Sequence, residues 1–174
     1  MVKLSSLIGS IKNTPVGIDF LKKRVPQNVE VVKYQSLKGK SKAEIFRGKN
    51  AVIVLIPKRG QKIGHFICLL PRSRHNHTEY FSSLGNSWET ELALLQEPTK
   101  IFRDLLGKKY IYNRVKLQND QNYKIQDCAA FVLCRAFFHD LKLREFVSIF
   151  QESVTLQNAD DIASVLSILS FINK

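Results

Sequence analysis

Residues 118–138 read QNDQNYKIQDCAAFVLCRAFF, a polar segment followed directly by an apolar run of helical character. A polar residue just before such a run is a helix N-cap signal, so Asp127 is predicted to cap a helix that begins at Cys128. The first turn of a helix exposes unpaired backbone N–H groups and the positive end of the helix dipole, which favour a thiolate over a thiol. This position therefore indicates a nucleophilic cysteine, and an ordinary buried cysteine is the alternative that the stretch alone leaves open.

The rest of the chain predicts strands in the middle and helices around them. Continuous apolar runs predict buried strands at 51–56 and 63–70. Shorter β-branched or alternating segments predict further strands at 29–37, 79–84 and 110–117. Helical patterns cover 42–47, 88–96, 99–106, 128–139, 141–150 and 159–171. We therefore expect an α+β domain in which a central mixed β-sheet is flanked by helices.

The composition is typical of one globular domain, and residues 1–174 are expected to form it. Hydrophobic residues make up 44% and charged residues 24% of the 174, enough for a core without covalent staples. An odd number of cysteines, three, favours free thiols in a reducing compartment, and Cys68 and Cys134 are interpreted as buried hydrophobic residues. No secretory signal is visible in residues 1–15, and the longest apolar run, 51–57, is too short to span a bilayer. A cytoplasmic, nuclear or particle-packaged protein without a membrane partner is therefore expected.

The net charge is strongly positive, +12 from 27 Lys and Arg against 15 Asp and Glu. Such an excess attracts polyanions through counterion release. The basic residues are spread along the chain and no nucleic-acid-binding fingerprint accompanies them. The interpretation is a solvated basic surface with nonspecific affinity for polyanions, so that DNA, RNA or an acidic surface is the expected neighbour, rather than sequence-specific binding.

A nucleophilic thiol needs a base, and the chain has four histidines from which to supply one. His65 lies on a predicted buried strand after Gly64, which we expect to leave room for a substrate backbone or for the thiol. A satisfied core histidine is the alternative for His65. His75 and His77 have the spacing of a metal-binding pair, but no third ligand stands at a useful distance, so no metal or other cofactor is predicted.

The order of these motifs resembles the adenain/SUMO-protease superfamily of cysteine proteases. Its pattern is Gly-His-Trp, then Phe-Asp-Ser-Leu-Gly, then Gln, then Cys-Gly. This chain has Gly64-His65-Phe66, YFSSLG at 80–85, several Gln, and Asp127-Cys128. The likeness covers about 25–138, and its lead-in is similar to that of the maturation proteases of adenoviruses, polintons and virophages. It implies a papain-like, adenain-like architecture with a protease core at about 25–150 and a C-terminal helix at 159–172.

The resemblance also implies roles for individual residues. Cys128 would be the nucleophile and His65 the general base. A glutamine shortly before the cysteine completes the oxyanion hole in the family, because an amide donor stabilises developing negative charge without a proton to lose. Gln121 fits the usual spacing and is preferred, whereas Gln118 fits the usual local context with a longer loop.

Three positions depart from the family pattern. Ser82 stands where the family has Asp, 17 residues after the histidine, and a serine accepts a hydrogen bond but supplies no charge. Asn86 is a possible substitute, and a Cys–His dyad is the other option. Ala129 replaces the glycine after the cysteine, and Phe66 replaces the usual tryptophan but keeps an aromatic wall.

The function implied is a viral cysteine endopeptidase that processes capsid precursor proteins during virion maturation. It would act as a monomer in the virion and the host cytoplasm (viral factory), with DNA or a peptide as a possible activator. One alternative is a deconjugase for ubiquitin-like modifiers, which would use the same catalytic residues. The other is a catalytically silent DNA- or capsid-binding protein on a protease-like scaffold, which the changes at Ser82 and Ala129 favour.

Overall fold

The computed structural model describes residues 17–60, 64–72, 77–118, 128–151 and 163. Within these ranges five strands form one sheet: β1 (Val29–Lys33), β2 (Ala51–Pro57), β3 (Gly64–Arg72), β4 (His77–Phe81) and β5 (Tyr110–Tyr112). The helices are α1 (Ile18–Lys22), α2 (Lys42–Ile45), α3 (Trp88–Leu95), α4 (Lys100–Leu105), α5 (Cys128–Phe137) and α6 (Leu143–Gln151), and Tyr34–Leu37 forms a 3₁₀ turn. The predicted α+β class is confirmed.

The sheet is mixed and its strands lie in chain order, β1-β2-β3-β4-β5. The three central strands pair antiparallel, while β1 pairs with β2 and β5 pairs with β4 in parallel. Parallel neighbours need a crossover connection, and the chain supplies two. One runs through α2 and the other through α3 and α4.

The two faces of the sheet bury separate clusters, because side chains alternate along each strand. On β3, Phe66 and Cys68 point to the face covered by α1, α5 and α6. Ile67 and Leu69 point to the face covered by the two crossovers, where Trp88 and other residues of α3 and α4 pack. Both apolar runs predicted as central strands therefore lie between two layers of helices.

A buried ion cluster fixes the far end of α5 against the sheet. The guanidinium of Arg135, fully buried, donates to Glu79 Oε1 at 2.6 Å and to Glu79 Oε2 at 3.1 Å. Arg72, the last residue of β3, donates to the same carboxylate at 2.9 Å and to the carbonyl oxygen of His139 at 3.2 Å. The C-terminal end of α5 is thus held at the Arg72 end of β3.

The orientation of α5 follows from that contact. A ten-residue helix is roughly 15 Å long, and the seven steps from Arg72 back to His65 span roughly 23 Å of strand. Because α5 packs along β3, its first residue, Cys128, lies toward the end of the strand that carries His65. Phe66, the neighbour of His65, packs in the same cluster as Cys128.

Several predicted boundaries were too generous. The strand predicted at 29–37 ends at Lys33, because the next residues form the 3₁₀ turn and the Tyr34 hydroxyl donates to the carbonyl oxygen of Pro98 at 2.6 Å. The strand predicted at 110–117 ends at Tyr112. The helix predicted at 159–171 lies outside the described residues except for Ala163, which is buried. Among the described helices, none combines the length and apolar content needed to cross a bilayer.

Candidate active site

His65 is the second residue of β3, opposite Ile56 of β2, and only 7% of it is exposed. The expectation that Gly64 leaves room for a substrate was wrong. A Cβ added at Gly64 would meet the carbonyl oxygen of Ile56 and lie 3.0 Å from Pro57 Cα. Glycine is needed there because β2 approaches the start of β3 closely, and this packing sets the position of the imidazole beside it.

Two side chains hold the imidazole of His65, on the face of the sheet that the crossovers cover. Its Nε2 lies 3.1 Å from the hydroxyl oxygen of Ser82 and 3.2 Å from Oε1 of Glu91. The Ser82 hydroxyl in turn donates to Glu91 Oε2 at 3.0 Å. When Glu91 is ionised, the hydroxyl proton points to the carboxylate, so Ser82 accepts from His65 and the network assigns the ring proton to Nε2. Nδ1 is then the basic nitrogen of the ring.

Ser82 is fixed through its main chain as well as its side chain. Asn113, which follows β5, accepts from the Ser82 N–H at 3.1 Å and donates to the Ser82 carbonyl oxygen at 2.6 Å. The N–H of Leu84 donates to the Ser82 hydroxyl oxygen at 3.3 Å. The predicted pair of His65 and Ser82 is therefore in contact, and the serine sits on a rigid support.

Glu91 was missed by the sequence analysis. It lies on α3, where the buried residues are Trp88, Glu91 and Leu92, the spacing of one helix face. A carboxylate in the middle of an apolar helix face was the signal available in the sequence, because buried charges in proteins are paired. Only the fold reveals that the partner of Glu91 is His65.

Burial disfavours the charged form of both groups in this pair. It raises the pKa of Glu91 to about 7, against hydrogen bonds from Ser82 and Asn86 that lower it. It lowers the pKa of His65 to about 4. Tyr80 of β4 also faces this carboxylate, and its pKa is raised by burial and further by Glu91. The proton on this pair therefore resides on the carboxyl group rather than on the imidazole at mildly acidic pH.

Asn86 does not take the place that the sequence analysis offered it. Its side chain hydrogen-bonds to Glu91, whereas the described contacts of the His65 ring are with Ser82 and Glu91. In the described contacts, Asn86 therefore affects the imidazole through the Glu91 carboxylate and not directly.

Of the two candidate oxyanion glutamines, the structure describes Gln118 but not Gln121. The N–H groups of Leu117 and Gln118 both donate to the carbonyl oxygen of Ser83, at 2.8 and 3.0 Å. The Ser83 hydroxyl donates to Gln118 Oε1 at 2.7 Å, which turns the donor end of that amide away from Ser83. Gln118 thus stands next to Ser82, at the His65 end of the sheet. Gln121, the preferred candidate, and Asp127, the predicted cap, lie outside the described residues.

Cys128 begins α5 as predicted, and 7% of it is exposed. The other two thiols are more deeply buried, Cys68 at 0% and Cys134 at 1%, which confirms their interpretation as core residues. Burial raises the pKa of both of those thiols. Across the described ranges no cluster of three or more His, Cys, Asp or Glu is arranged to hold a metal ion.

The described part of the chain thus has an α+β architecture, with a mixed five-stranded sheet between helices and a cysteine at the start of a helix. No protein-family model and no curated protein sequence matches the chain.

Solved structures that are similar to the chain include the following two. One is described as AvrA delL154 with IP6 and CoA: identity is 18% and the TM-score 0.41, over 78% of this chain and 51% of that one. The other is the Rickettsia bellii effector protein RickCE, with 16% identity and a TM-score of 0.32, over 84% of this chain and 55% of that one. The chain spans about half the length of each, and likenesses this weak carry no argument.

Proposed function

We propose that this protein is a cysteine endopeptidase in which Cys128 is the nucleophile and His65 the general base. The observation that carries the proposal is the buried contact of His65 Nε2 with Ser82 and Glu91. That contact fixes the tautomer with Nδ1 as the base, at the end of the sheet toward which α5 directs Cys128.

The reaction proceeds in two halves. Nδ1 of His65 takes the proton of the Cys128 thiol, and the sulfur attacks the scissile carbonyl carbon. The developing oxyanion is met by backbone N–H groups at the start of α5 and by the side-chain amide of Gln118 or Gln121. His65 then gives its proton to the leaving amine as the C–N bond breaks, which leaves a thioester. Water, deprotonated by His65, attacks the thioester and restores the thiol.

The proposed substrates are capsid precursor proteins of a virus, processed during particle maturation. The sequence resemblance to adenain-like maturation proteases supports this choice, and the net charge of +12 suits an enzyme packaged with DNA. A deconjugase for ubiquitin-like modifiers is the second candidate, since a basic surface would also meet an acidic modifier. Glu91 weakens the case for a silent scaffold, because a buried carboxylate stands beside His65 even though Ser82 has replaced the family's Asp.

Thiol labelling tests the nucleophile before any substrate is known. With a limiting thiol-directed electrophile, such as iodoacetamide, Cys128 is expected to react much faster than Cys68 or Cys134, and His65→Gln should remove most of the difference. Cys134→Ala is the matched control on the same helix and should keep the fast site, whereas Cys128→Ala should lose it. Equal rates for all three thiols in the folded wild-type protein would overturn the proposal.

A short bis-electrophile tests whether the thiol and the imidazole meet. After alkylating Cys128, 1,3-dibromoacetone can bridge only to a nucleophile in its immediate vicinity. Peptide mapping of the product should find Cys128 joined to His65, and His139 and other distant nucleophiles should remain unmodified. A product joined elsewhere, or mono-alkylated throughout, would place the two side chains in separate regions and refute the proposed pairing.

Substrate panels separate the two candidate hydrolases. Capsid precursor fragments and fusions of ubiquitin-like modifiers would be incubated with the wild-type chain and with Cys128→Ala. Cleavage of the precursors alone supports the endopeptidase, cleavage after the modifier alone supports the deconjugase, and no cleavage of either by a reactive Cys128 enzyme counts against both.

A further inference from the structure

We propose that Glu91 is the positioning carboxylate of His65, and that the family's single acidic residue has been divided in this chain between two elements. Ser82, after β4, keeps the place of that residue and bridges the two groups, while Glu91, on α3, supplies the negative charge. The inference rests on the proposed function, since it concerns the residue that supports the general base.

The geometry fits a shared donor. The distances from His65 Nε2 to Ser82 Oγ and to Glu91 Oε1 are 3.1 and 3.2 Å, so one N–H lies between two acceptors. The Ser82 hydroxyl donates a hydrogen bond to the other oxygen of the carboxylate, Glu91 Oε2, at 3.0 Å. The three groups close a ring of contacts in which Glu91 holds both the imidazole and the serine. Removing the charge of Glu91 alone should therefore leave Ser82 in place and leave the imidazole of His65 without an anionic partner.

The location of Glu91 argues against a role in helix stability. Its side chain is 2% exposed, between Trp88 and Leu92 on the apolar face of α3. Burying a carboxylate there is costly unless a partner compensates, and an apolar residue would pack on this face at no such cost. By contrast Glu89, two residues earlier, is on the exposed side and accepts from the Tyr110 hydroxyl at 2.7 Å.

The chemistry gives the buried charge a use. When Nδ1 takes the thiol proton, the ring becomes an imidazolium and its Nε2–H faces the carboxylate. An ionised Glu91 stabilises that cation in a site from which water is excluded, and Ser82 alone does not. The raised pKa of Glu91, about 7, means that the anion is present only toward neutral and alkaline pH. The groups that face it, His65, Tyr80, Ser82 and Asn86, come from β3, β4 and the turn after β4.

The test uses charge relocation. Glu91→Gln should lower kcat/KM, or the Cys128 alkylation rate where no substrate is in hand, by about 100-fold or more. The double variant Ser82→Asp with Glu91→Gln puts a carboxylate back beside the same nitrogen and should recover at least tenfold of that loss. Glu89→Gln, the matched control on the same helix, should leave the rate within about twofold of wild type.

The pH profile separates positioning from a structural role. In the wild type the alkylation rate should rise with pH through about 7, because Glu91 must lose its proton. Glu91→Gln should lose that limb. The double variant should show it at lower pH, because the N–H groups of His65 and Leu84, which now approach the Ser82 hydroxyl, would both donate to the introduced carboxylate and lower its pKa.

The outcomes keep the two proposals apart. A wild-type Cys128 no more reactive than Cys68 overturns the proposed function. A reactive wild type whose rate is unchanged in folded Glu91→Gln overturns the role of Glu91 alone. A third outcome also refutes the inference. If Glu91→Gln slows the reaction but keeps the rise with pH, and the folded double variant does not recover the rate, Glu91 has a structural role.

Discussion

Gly85 provides the sharpest test of how the site is built. Its φ is +71°, and an added Cβ would lie 2.6 Å from the carbonyl carbon and 2.7 Å from the carbonyl oxygen of Val115. Gly85→Ala therefore meets two penalties. Left-handed backbone costs an alanine about 1–2 kcal/mol, and displacing a packed main chain costs about 1–3 kcal/mol more. We expect the free energy of unfolding to fall by about 2–5 kcal/mol.

Gly48→Ala isolates the first of these penalties. Gly48 has a φ of +65°, close to that of Gly85, but an added Cβ there meets nothing within 4 Å. Its substitution should cost about 1–2 kcal/mol from the backbone alone. Urea unfolding of both variants, followed by tryptophan fluorescence and circular dichroism, gives the two values. Equal losses would refute the reasoning, because the close approach of Val115 would then contribute nothing.

The same comparison reaches the site. The Val115 carbonyl oxygen accepts from Asn113 at 3.1 Å, and Asn113 holds the main chain of Ser82. If residues 115–116 shift, the support of Ser82 shifts with them. Gly85→Ala should therefore slow Cys128 alkylation by more than its lost stability explains, measured well below the unfolding transition, whereas Gly48→Ala should leave that rate unchanged.

Three further predictions concern stability. Arg135→Met should cost about 3–5 kcal/mol because it leaves the buried carboxylate of Glu79 undercompensated, and Arg135→Met with Glu79→Leu should recover at least half of that in urea unfolding; no recovery would contradict an electrostatic origin. Glu91 has a folded pKa of about 7 against an ordinary 4.5, so the folded state holds its proton more tightly and stability falls as pH rises from about 4.5 to 7. Glu91→Gln removes that term and should gain about 3 kcal/mol on the wild type across this window, and a pH-independent difference would refute the assignment. Tyr34→Phe should cost about 1 kcal/mol by removing the hydrogen bond that the buried Tyr34 hydroxyl donates to the carbonyl oxygen of Pro98, and a neutral result in thermal unfolding would show that water replaces the hydroxyl.

The sequence was informative where the signal was local. The runs at 51–56 and 63–70 are apolar on both faces, and such runs fit a strand covered by helices on either side. The apolar segment after Asp127 predicted a helix that begins at Cys128, and α5 does begin there. In these segments the local apolar pattern and the final packing favour the same residues.

Prediction failed where distant residues decide the structure. Asn113 uses its side chain to hold Ser82, so β5 stops at Tyr112 although an alternating pattern continues beyond it. Position 64 has the glycine that a substrate cleft would need, but β2 occupies the space beside it. The contact of Glu91 with His65 depends on a crossover that returns α3 over β3, and the order of motifs along the chain does not reveal that contact.

The attachment of α5 by its C-terminal end has a consequence for how such a domain varies over time. Arg135 and Arg72 anchor the helix through Glu79, at the end of α5 opposite Cys128. Substitutions at Arg72, Glu79 or Arg135 would therefore shift the sulfur at the opposite end of α5, so drift at these buried positions would be felt at the site although none of them touches it.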